Sequence, residues 1–405
     1  MTRTIVVIGG GPAGVWAAIE AKRRDATAEV VLVSEEHCEP YEKPPLSKAV
    51  LLGKTAPEDA PIAGQGGLAA HGIALRIGTR CRAIDRSARK VVTDAGTLSY
   101  DALVIATGSR MREVPLLPPD MGRVHYLRTE RHARALKAAL ANCKSLAVVG
   151  AGLIGLEVAA SARELGITVT VIELAPRILA RVCDDETSVR VLDEHRQRGV
   201  EFRLGTSVAQ AAPQSDGRIA LVLTSGDGVV ADHVVVGAGV MPDDSLAKEA
   251  ALDVRDGIVI DWQCRTSDPA IFAAGDVTRF PGPKGLVRLE NWKHAQDHGA
   301  VAGRNAAGGS DAYRPVPSFW TEQYDLYIQG VGWPATNLAR VRRPLPGKSW
   351  LVLETEGPLL SYAVGINAQK DLAAVRRLIE RRVPVDAAAL ADPTVPFAAM
   401  LKAKT

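Results

Sequence analysis

Short, unbroken runs of β-branched and aliphatic residues recur along the chain, and several of them end in glycine clusters. Residues 4–8 form such a run, which opens onto Gly9-Gly10-Gly11-Pro12-Ala13-Gly14, and residues 15–22 then follow with helical character. The succession repeats at 146–149, Gly150-Ala151-Gly152-Leu153-Ile154-Gly155 and 156–165. Each passage therefore predicts a buried parallel strand, a tight turn and a helix. A second apolar run follows each helix, 30–34 leading into Glu35 and 169–172 into Glu173. Two more runs end in small residues, 101–109 closing on Thr107-Gly108-Ser109 and 266–277 carrying Gly275-Asp276. Near the end the pattern becomes alternating at 350–354 and 359–364, which predicts antiparallel strands, and 370–382 predicts a helix.

The glycine spacing has a chemical reading. In each fingerprint the first glycine permits the turn, the second lets backbone approach a diphosphate, and the third packs helix on strand. The helix N-terminus adds N–H donors and the positive end of its dipole. A carboxylate closing the next strand, Glu35 or Glu173, accepts from a ribose hydroxyl. One fingerprint alone reads equally as an ordinary Gly-rich turn of a parallel sheet; two, each with its acid, predict two dinucleotide sites. Gly275-Asp276 at a strand end suits a polyol chain such as the ribityl of a flavin, with capping of the next turn as the plainer alternative.

A chain of 405 residues exceeds one hydrophobic core and predicts two or three domains. Its 47% hydrophobic and 23% charged content is that of a globular protein, and a net charge of +3 gives no reason to expect nucleic acid or an anionic membrane as the main partner. The first strand begins too early for a signal peptide and no apolar run is long enough to span a bilayer, so a cytoplasmic protein is expected. The five cysteines, at 38, 81, 143, 183 and 264, show neither C-x-x-C nor metal-ligand spacing, and no metal is expected. Cys38 is the one thiol near the first fingerprint's nucleotide side, but Glu35, Glu36 and Glu39 disfavour its thiolate.

Pro40-Tyr41-Glu42-Lys43-Pro44-Pro45-Leu46-Ser47-Lys48 resembles the Tyr-x-Arg-Pro-Pro-Leu-Ser-Lys stretch of bacterial NADH:ferredoxin reductases of oxygenase systems, the putidaredoxin reductase and biphenyl dioxygenase reductase type. Tyr126-Leu127-Arg128-Thr129, Gly155-Leu156-Glu157, Gly239-Val240-Met241-Pro242, Glu290-Asn291-Trp292, Phe319-Trp320-Thr321-Glu322-Gln323 and Ala391-Asp392-Pro393 extend the resemblance over nearly the whole chain. It implies an α/β flavoprotein with two Rossmann-like, glutathione-reductase-like domains and a C-terminal α+β domain. The motif order gives a split FAD domain at 1–112 and 243–314, an inserted NAD domain at 113–242 and a third domain at 315–405. FAD would be held by Gly9, Gly11, Pro12, Ala13, Gly14, Glu35, Lys43, Pro45, Lys48, Cys81, Thr107, Gly108, Arg128, Asp276 and Trp292. The nicotinamide nucleotide falls to Gly150, Gly152, Leu153, Ile154, Gly155, Glu173, Arg181 and Gly239. Glu173 would repel a 2′-phosphate and favour NADH, while Arg177 and Arg181, alternatively a basic helical surface, could receive one. The chain departs from the family at Lys43, where arginine is usual, and at Asp243, where asparagine is frequent.

The resemblance implies that hydride passes from NADH to FAD and electrons then pass singly to a [2Fe-2S] ferredoxin, Rieske-type or adrenodoxin-like, which feeds a Rieske dioxygenase or a cytochrome P450 in aromatic hydrocarbon catabolism. Lys48 is expected beside the flavin ring, stabilising the arriving negative charge, and Glu157, on the first turn of its helix, is expected to pair with it. The plainer readings are a solvated lysine and an acid favoured by a helix N-terminus. Trp320 would cover the isoalloxazine; Phe319, Tyr324 and Tyr327 crowd around it in sequence, although a core tryptophan is the competing reading. Three other functions remain: an NADH oxidase, peroxidase or disulfide reductase using Cys38; a rubredoxin reductase; and a redox-sensing binding protein similar to apoptosis-inducing factor. The sequence leaves the oligomeric state open.

Overall fold

Thr4–Ile8 is the middle strand of a five-stranded parallel sheet in the computed structural model of the chain, which describes residues 2–283, 285–334 and 338–402. Glu29–Val33 and Ala102–Ile105 flank it, with Ala74–Arg76 and Ile271–Ala273 at the edges. Ile5, Val6 and Val7 are fully buried, and a strand covered on both faces has no use for polar alternation. Ser145–Val149 holds the same place in a second parallel sheet, between Thr168–Glu173 and His233–Val236, with Val200–Leu204 and Val124–Tyr126 outside. Each sheet's succession is interrupted by a three-stranded antiparallel meander. One runs through Cys81–Asp85, Lys90–Thr93 and Gly96–Ser99; the other through Val208–Pro213, Ile219–Leu223 and Gly228–Ala231. One supersecondary plan is thus built twice.

The described chain forms two compact units. The first sheet belongs to Met1–Pro44, Ala56–Arg110 and Val240–Pro315; the second belongs to Pro45–Thr55, Met111–Gly239 and Val316–Thr405. The second unit also contains a five-stranded antiparallel sheet, in the order Ser318–Gln323, Leu326–Gly332, Leu359–Ile366, Trp350–Glu356 and Ala339–Pro344. Helix Gln369–Glu380 covers one face, packing Leu372, Val375 and Leu378 on Leu351, Leu353 and Ala363. The alternating runs predict only two of these strands. The other three are hidden by polar residues in Ser318–Gln323, by two glycines in Leu326–Gly332, and by three arginines in the edge strand Ala339–Pro344. Among the described residues no helix is long and apolar enough to cross a membrane.

In the first unit, helices Pro12–Arg24 and Trp292–Ala306 lie in close contact because Gly299 and Gly303 face the backbone of the first helix. A Cβ at Gly299 would stand 2.1 Å from the Ala13 carbonyl oxygen, and one at Gly303 would stand 2.0 Å from that of Ala17. The same helix carries His294 and His298, both fully buried. His294 Nδ1 lies 2.7 Å from the Tyr313 hydroxyl, and His298 Nδ1 accepts from the Gly275 N–H at 3.3 Å. Burial drives the His294 pKa down to about 3 and that of His298 well below the ordinary value, so both rings are neutral.

This packing has two measurable consequences. Gly303→Ala must push the helices apart and should lower stability by roughly 1–3 kcal/mol, read as a lower unfolding midpoint; an unchanged midpoint contradicts the close packing. The buried histidines take up protons only on unfolding, near pH 6.5, so they leave stability unaffected above that pH and subtract from it as the pH falls. Between pH 6.5 and 5.5 each neutral buried histidine should remove up to about 1.4 kcal/mol. Urea denaturation at the two pH values measures the slope, and a flat profile would contradict it.

Candidate functional site

The two fingerprints have matching geometry. Gly9 has φ of 116°, and a Cβ there would lie 2.2 Å from the Ala106 carbonyl oxygen; Gly150 has φ of 107° and the same relation, at 2.4 Å, to Gly237. Side chains at Gly14 or Gly155 would strike the carbonyl oxygen of the first glycine, at 1.9 and 2.1 Å. The middle glycines differ, since a Cβ at Gly11 or Gly152 meets no atom within 4 Å. Each middle glycine is the N-cap of its helix, supplies no capping side chain and is followed by no acid in the first turn. The helix-end donors and dipole are therefore directed at an open cradle that a side chain would begin to fill, which fits a diphosphate twice over. Pro12, Ala13, Leu153 and Ile154 form the helix starts behind these turns.

In the first unit, Thr107 Oγ1 donates to the Asp243 carbonyl at 2.7 Å, and Ser109 Oγ donates to Asp276 Oδ2 at 3.1 Å, so Thr107-Gly108-Ser109 and the Gly275-Asp276 turn come together. Lys43 Nζ pairs with Glu36 at 2.8 Å, and the Tyr41 hydroxyl donates to the same carboxylate at 2.5 Å. Trp292 opens its helix next to the Asn291 cap and donates its indole N–H to Glu42, a carboxyl whose pKa burial raises. Cys81 is buried in its strand with its thiol pushed up to about 12. Glu35 is two-thirds exposed, 3.9 Å from Arg80.

The two acids are not equivalent. Gly9 N–H bonds to Val33 and Gly150 N–H to Ile172, which aligns Glu173 with Ser34 and leaves Glu35 one position later. Glu173 accepts from the backbone N–H of Ala151 at 2.6 Å and of Ala175 at 2.8 Å, so its carboxylate borders the second glycine turn. The segment after it is bends and turns, so the alternative reading of Arg177 and Arg181 as a basic helical surface does not hold. Arg177 instead donates to the carbonyls of Cys183 and Ala180, at 2.7 and 3.0 Å, and pins this loop. Arg181 lies near Gly239, 3.9 Å from where its Cβ would stand. Arg128 joins strand Val124–Tyr126 to the helix Glu130–Leu140.

The second unit also contains a buried ionic cluster. Glu157 is 6% exposed, and Lys48 Nζ lies 3.1 Å from its Oε1. Thr321 Oγ1 donates to the same oxygen at 2.7 Å, and Ser47 Oγ donates to Oε2. Ser161 Oγ donates to the Ser47 carbonyl at 2.8 Å and holds the Pro45–Thr55 segment on the helix. Three hydrogen bonds to a charge, at roughly 1.5–3 kcal/mol each, offset a desolvation of several kcal/mol. The helix spans Leu153–Glu164, which puts Glu157 at its fifth residue and not, as expected, in its first turn. Glu157 is therefore stabilised by its side-chain donors more than by the helix end.

Trp320 and Tyr327 share one face of the paired strands Ser318–Gln323 and Leu326–Gly332. Phe319 and Thr321 point to the other face, with Phe319 over Gly330. Tyr324 sits in the turn between the strands and packs on His195 and Arg198. The crowd of aromatics expected from sequence is thus divided, because alternation along a strand sends neighbours to opposite faces. Sequence reasoning assigned no role to Ser47, Thr321, Gln323 or His195. The first three lie inside quoted motifs, whereas no local signal marks His195.

Residues 3–299 match the family model described as pyridine nucleotide-disulphide oxidoreductase, and residues 318–401 match that described as reductase C-terminal. The chain is 42% identical over 397 residues to the anthranilate 1,2-dioxygenase system ferredoxin–NAD(+) reductase component of Burkholderia cepacia, covering 96% of this chain and 97% of that one. It is 38% identical to rhodocoxin reductase of Rhodococcus erythropolis, covering 96% and 92%. Among solved structures it is similar to the covalent putidaredoxin reductase–putidaredoxin complex, with TM-score 0.94, 31% identity and coverage of 99% and 98%. With both glycine cradles, the buried acid and matches of this extent, the chain belongs to the pyridine nucleotide-disulphide oxidoreductase family, among its ferredoxin–NAD(+) reductases.

Proposed function

We propose that this chain is the NADH-dependent reductase of an oxygenase electron-transfer chain, delivering electrons to a [2Fe-2S] ferredoxin. The observation that carries the reading is the doubled open cradle, one for FAD and one for NADH. FAD, when bound, supplies the conversion of a two-electron hydride into single electrons. Four of the five thiols argue against a disulfide mechanism. Burial raises Cys81 to about 12 and Cys143 to about 11, and lifts Cys183 and Cys264 well above the ordinary thiol, so none of these four offers a thiolate.

Residues 1–112 and 243–314 are assigned to FAD, 113–242 to NADH, and 315–405 to a C-terminal domain. The Gly11 and Gly152 turns hold the diphosphates, Asp276 orients the ribityl chain, and Glu173 takes the adenosine ribose of NADH and disfavours a 2′-phosphate. Lys48 places an ammonium where hydride delivery brings negative charge, and Glu157 fixes that ammonium. Trp320 covers the isoalloxazine with a flat ring that shields it. The protein works in the cytoplasm.

Lys48→Met keeps the stem of the side chain and removes the charge. In anaerobic stopped flow, reduction of bound FAD by NADH should slow about a hundredfold while FAD stays bound. Reduction at the original rate would remove Lys48 from the chemistry.

A further inference from the structure

Glu157 ends a longer buried chain of hydrogen bonds. Thr321, which donates to Glu157, stands 3.1 Å from Gln323 Nε2. Gln323 Oε1 is 2.8 Å from His195 Nε2, and the Tyr324 hydroxyl is 3.3 Å from His195 Nδ1. Thr321, Gln323 and His195 are 0%, 1% and 0% exposed. Chemistry sets the direction throughout. The carboxylate only accepts, so the Thr321 hydroxyl gives it its single proton and receives one from the Gln323 amide nitrogen. The amide oxygen is then the acceptor for His195, which carries its proton on Nε2 and accepts from Tyr324 on Nδ1. Burial holds the His195 pKa down to about 4 and pushes the Tyr324 hydroxyl up to about 12, so the neutral ring and the protonated phenol this direction requires are both present.

We propose that Gln323 and His195 are positioning residues for Glu157: a one-way chain of four hydrogen bonds aims the Thr321 hydroxyl at Glu157 and thereby steadies the carboxylate that holds Lys48. Helix Asp185–Gln197 and strand Ser318–Gln323 are joined through this chain. Its donors polarise one another in the same sense, so the last bond is stronger than an isolated one. The proposal rests on the roles proposed for Lys48 and Glu157 in flavin reduction. A purely structural tie between helix and strand would stabilise the fold without any preference for the direction of the donors.

Two measurements on the FAD-loaded, full-length protein test it. Nitrogen-15 NMR of labelled histidine at pH 7, with the His195 signals identified by their loss in His195→Asn, should show the neutral Nε2–H tautomer and a shift of those signals in Gln323→Leu. An Nδ1–H tautomer or a cationic ring overturns the direction of the chain whatever Lys48 does. The second is a double-mutant cycle on flavin reduction. Thr321→Val and Gln323→Leu should each slow the limiting rate about tenfold, with the NADH dissociation constant within about twofold, and the double variant should be no slower than Thr321→Val. Independent effects that multiply to about a hundredfold overturn the proposal. Tyr324→Phe preserves packing if Gln323→Leu folds poorly, and should slow reduction by about two- to threefold. Full rates in these variants alongside a slowed Lys48→Met overturn the positioning role alone, whereas full rates in all of them overturn the reading of Lys48 as well.

Discussion

A carboxylate out of contact with water must find donors, and Glu157 finds them in sequence segments that have nothing else in common. Ser47 and Lys48 come from a short 3-10 helix and the turn after it, more than a hundred residues earlier, and Thr321 from a strand more than a hundred and fifty residues later. The desolvation of Glu157, several kcal/mol if uncompensated, makes this convergence a condition of folding for the second unit. Loss of one donor leaves the carboxylate short of bonds; loss of the carboxylate leaves Lys48, which is 18% exposed, without its anion. Structural need and chemical use thus coincide in one ion pair. The same bonds that keep the segment Pro45–Thr55 on the helix hold the ammonium still.

Around that pair the chain repeats one plan with different chemistry. Both parallel sheets set a first glycine against the crossover strand, close the turn with a third and leave space over the second. That space is the common feature, since anions of similar shape are bound by similar backbone. Past the second strand the two sheets diverge. Glu173 is drawn into the second turn by two backbone donors, whereas Ser34 occupies the matching place in the first and Glu35 stands one step out toward solvent. A site at Glu173 that reads a ribose and a site at Ser34–Glu35 that reaches farther along its ligand need not be identical, and the register shows that they are not.

The sequence discloses features in proportion to how local their causes are. Thr4–Ile8, Ser145–Val149 and their glycine turns are evident because strand, turn and helix lie within some twenty residues of one another and each has its own periodicity. Likewise Trp350–Glu356 and Leu359–Ile366 are evident as short apolar runs, although consecutive residues such as Leu351, Val352 and Leu353 are buried on both faces and the strands do not alternate as expected. Ala339–Pro344 pairs with the next strand, Trp350–Glu356, but as an edge strand it buries little and is rich in arginine, so it carries little apolar signal. The helix contact through Gly299 and Gly303 is similarly invisible until the facing backbone of Ala13 and Ala17 is known. The pairing of Lys48 with Glu157 is suggested only by the resemblance to ferredoxin reductases, and the buried path from Glu157 to His195 leaves no trace, since threonine, glutamine and histidine are ordinary residues in ordinary elements.

At the centre of this account is the flavin as the redox group, with Lys48 and Glu157 managing charge and Cys81, Cys143, Cys183 and Cys264 held as thiols by burial. Anaerobic titration of the FAD-loaded protein with NADH, following flavin absorbance, tests this directly. Bleaching complete at one equivalent per flavin, with a long-wavelength charge-transfer band, is the result the account predicts. A requirement for two equivalents would reveal a second, sulfur-based centre and contradict it.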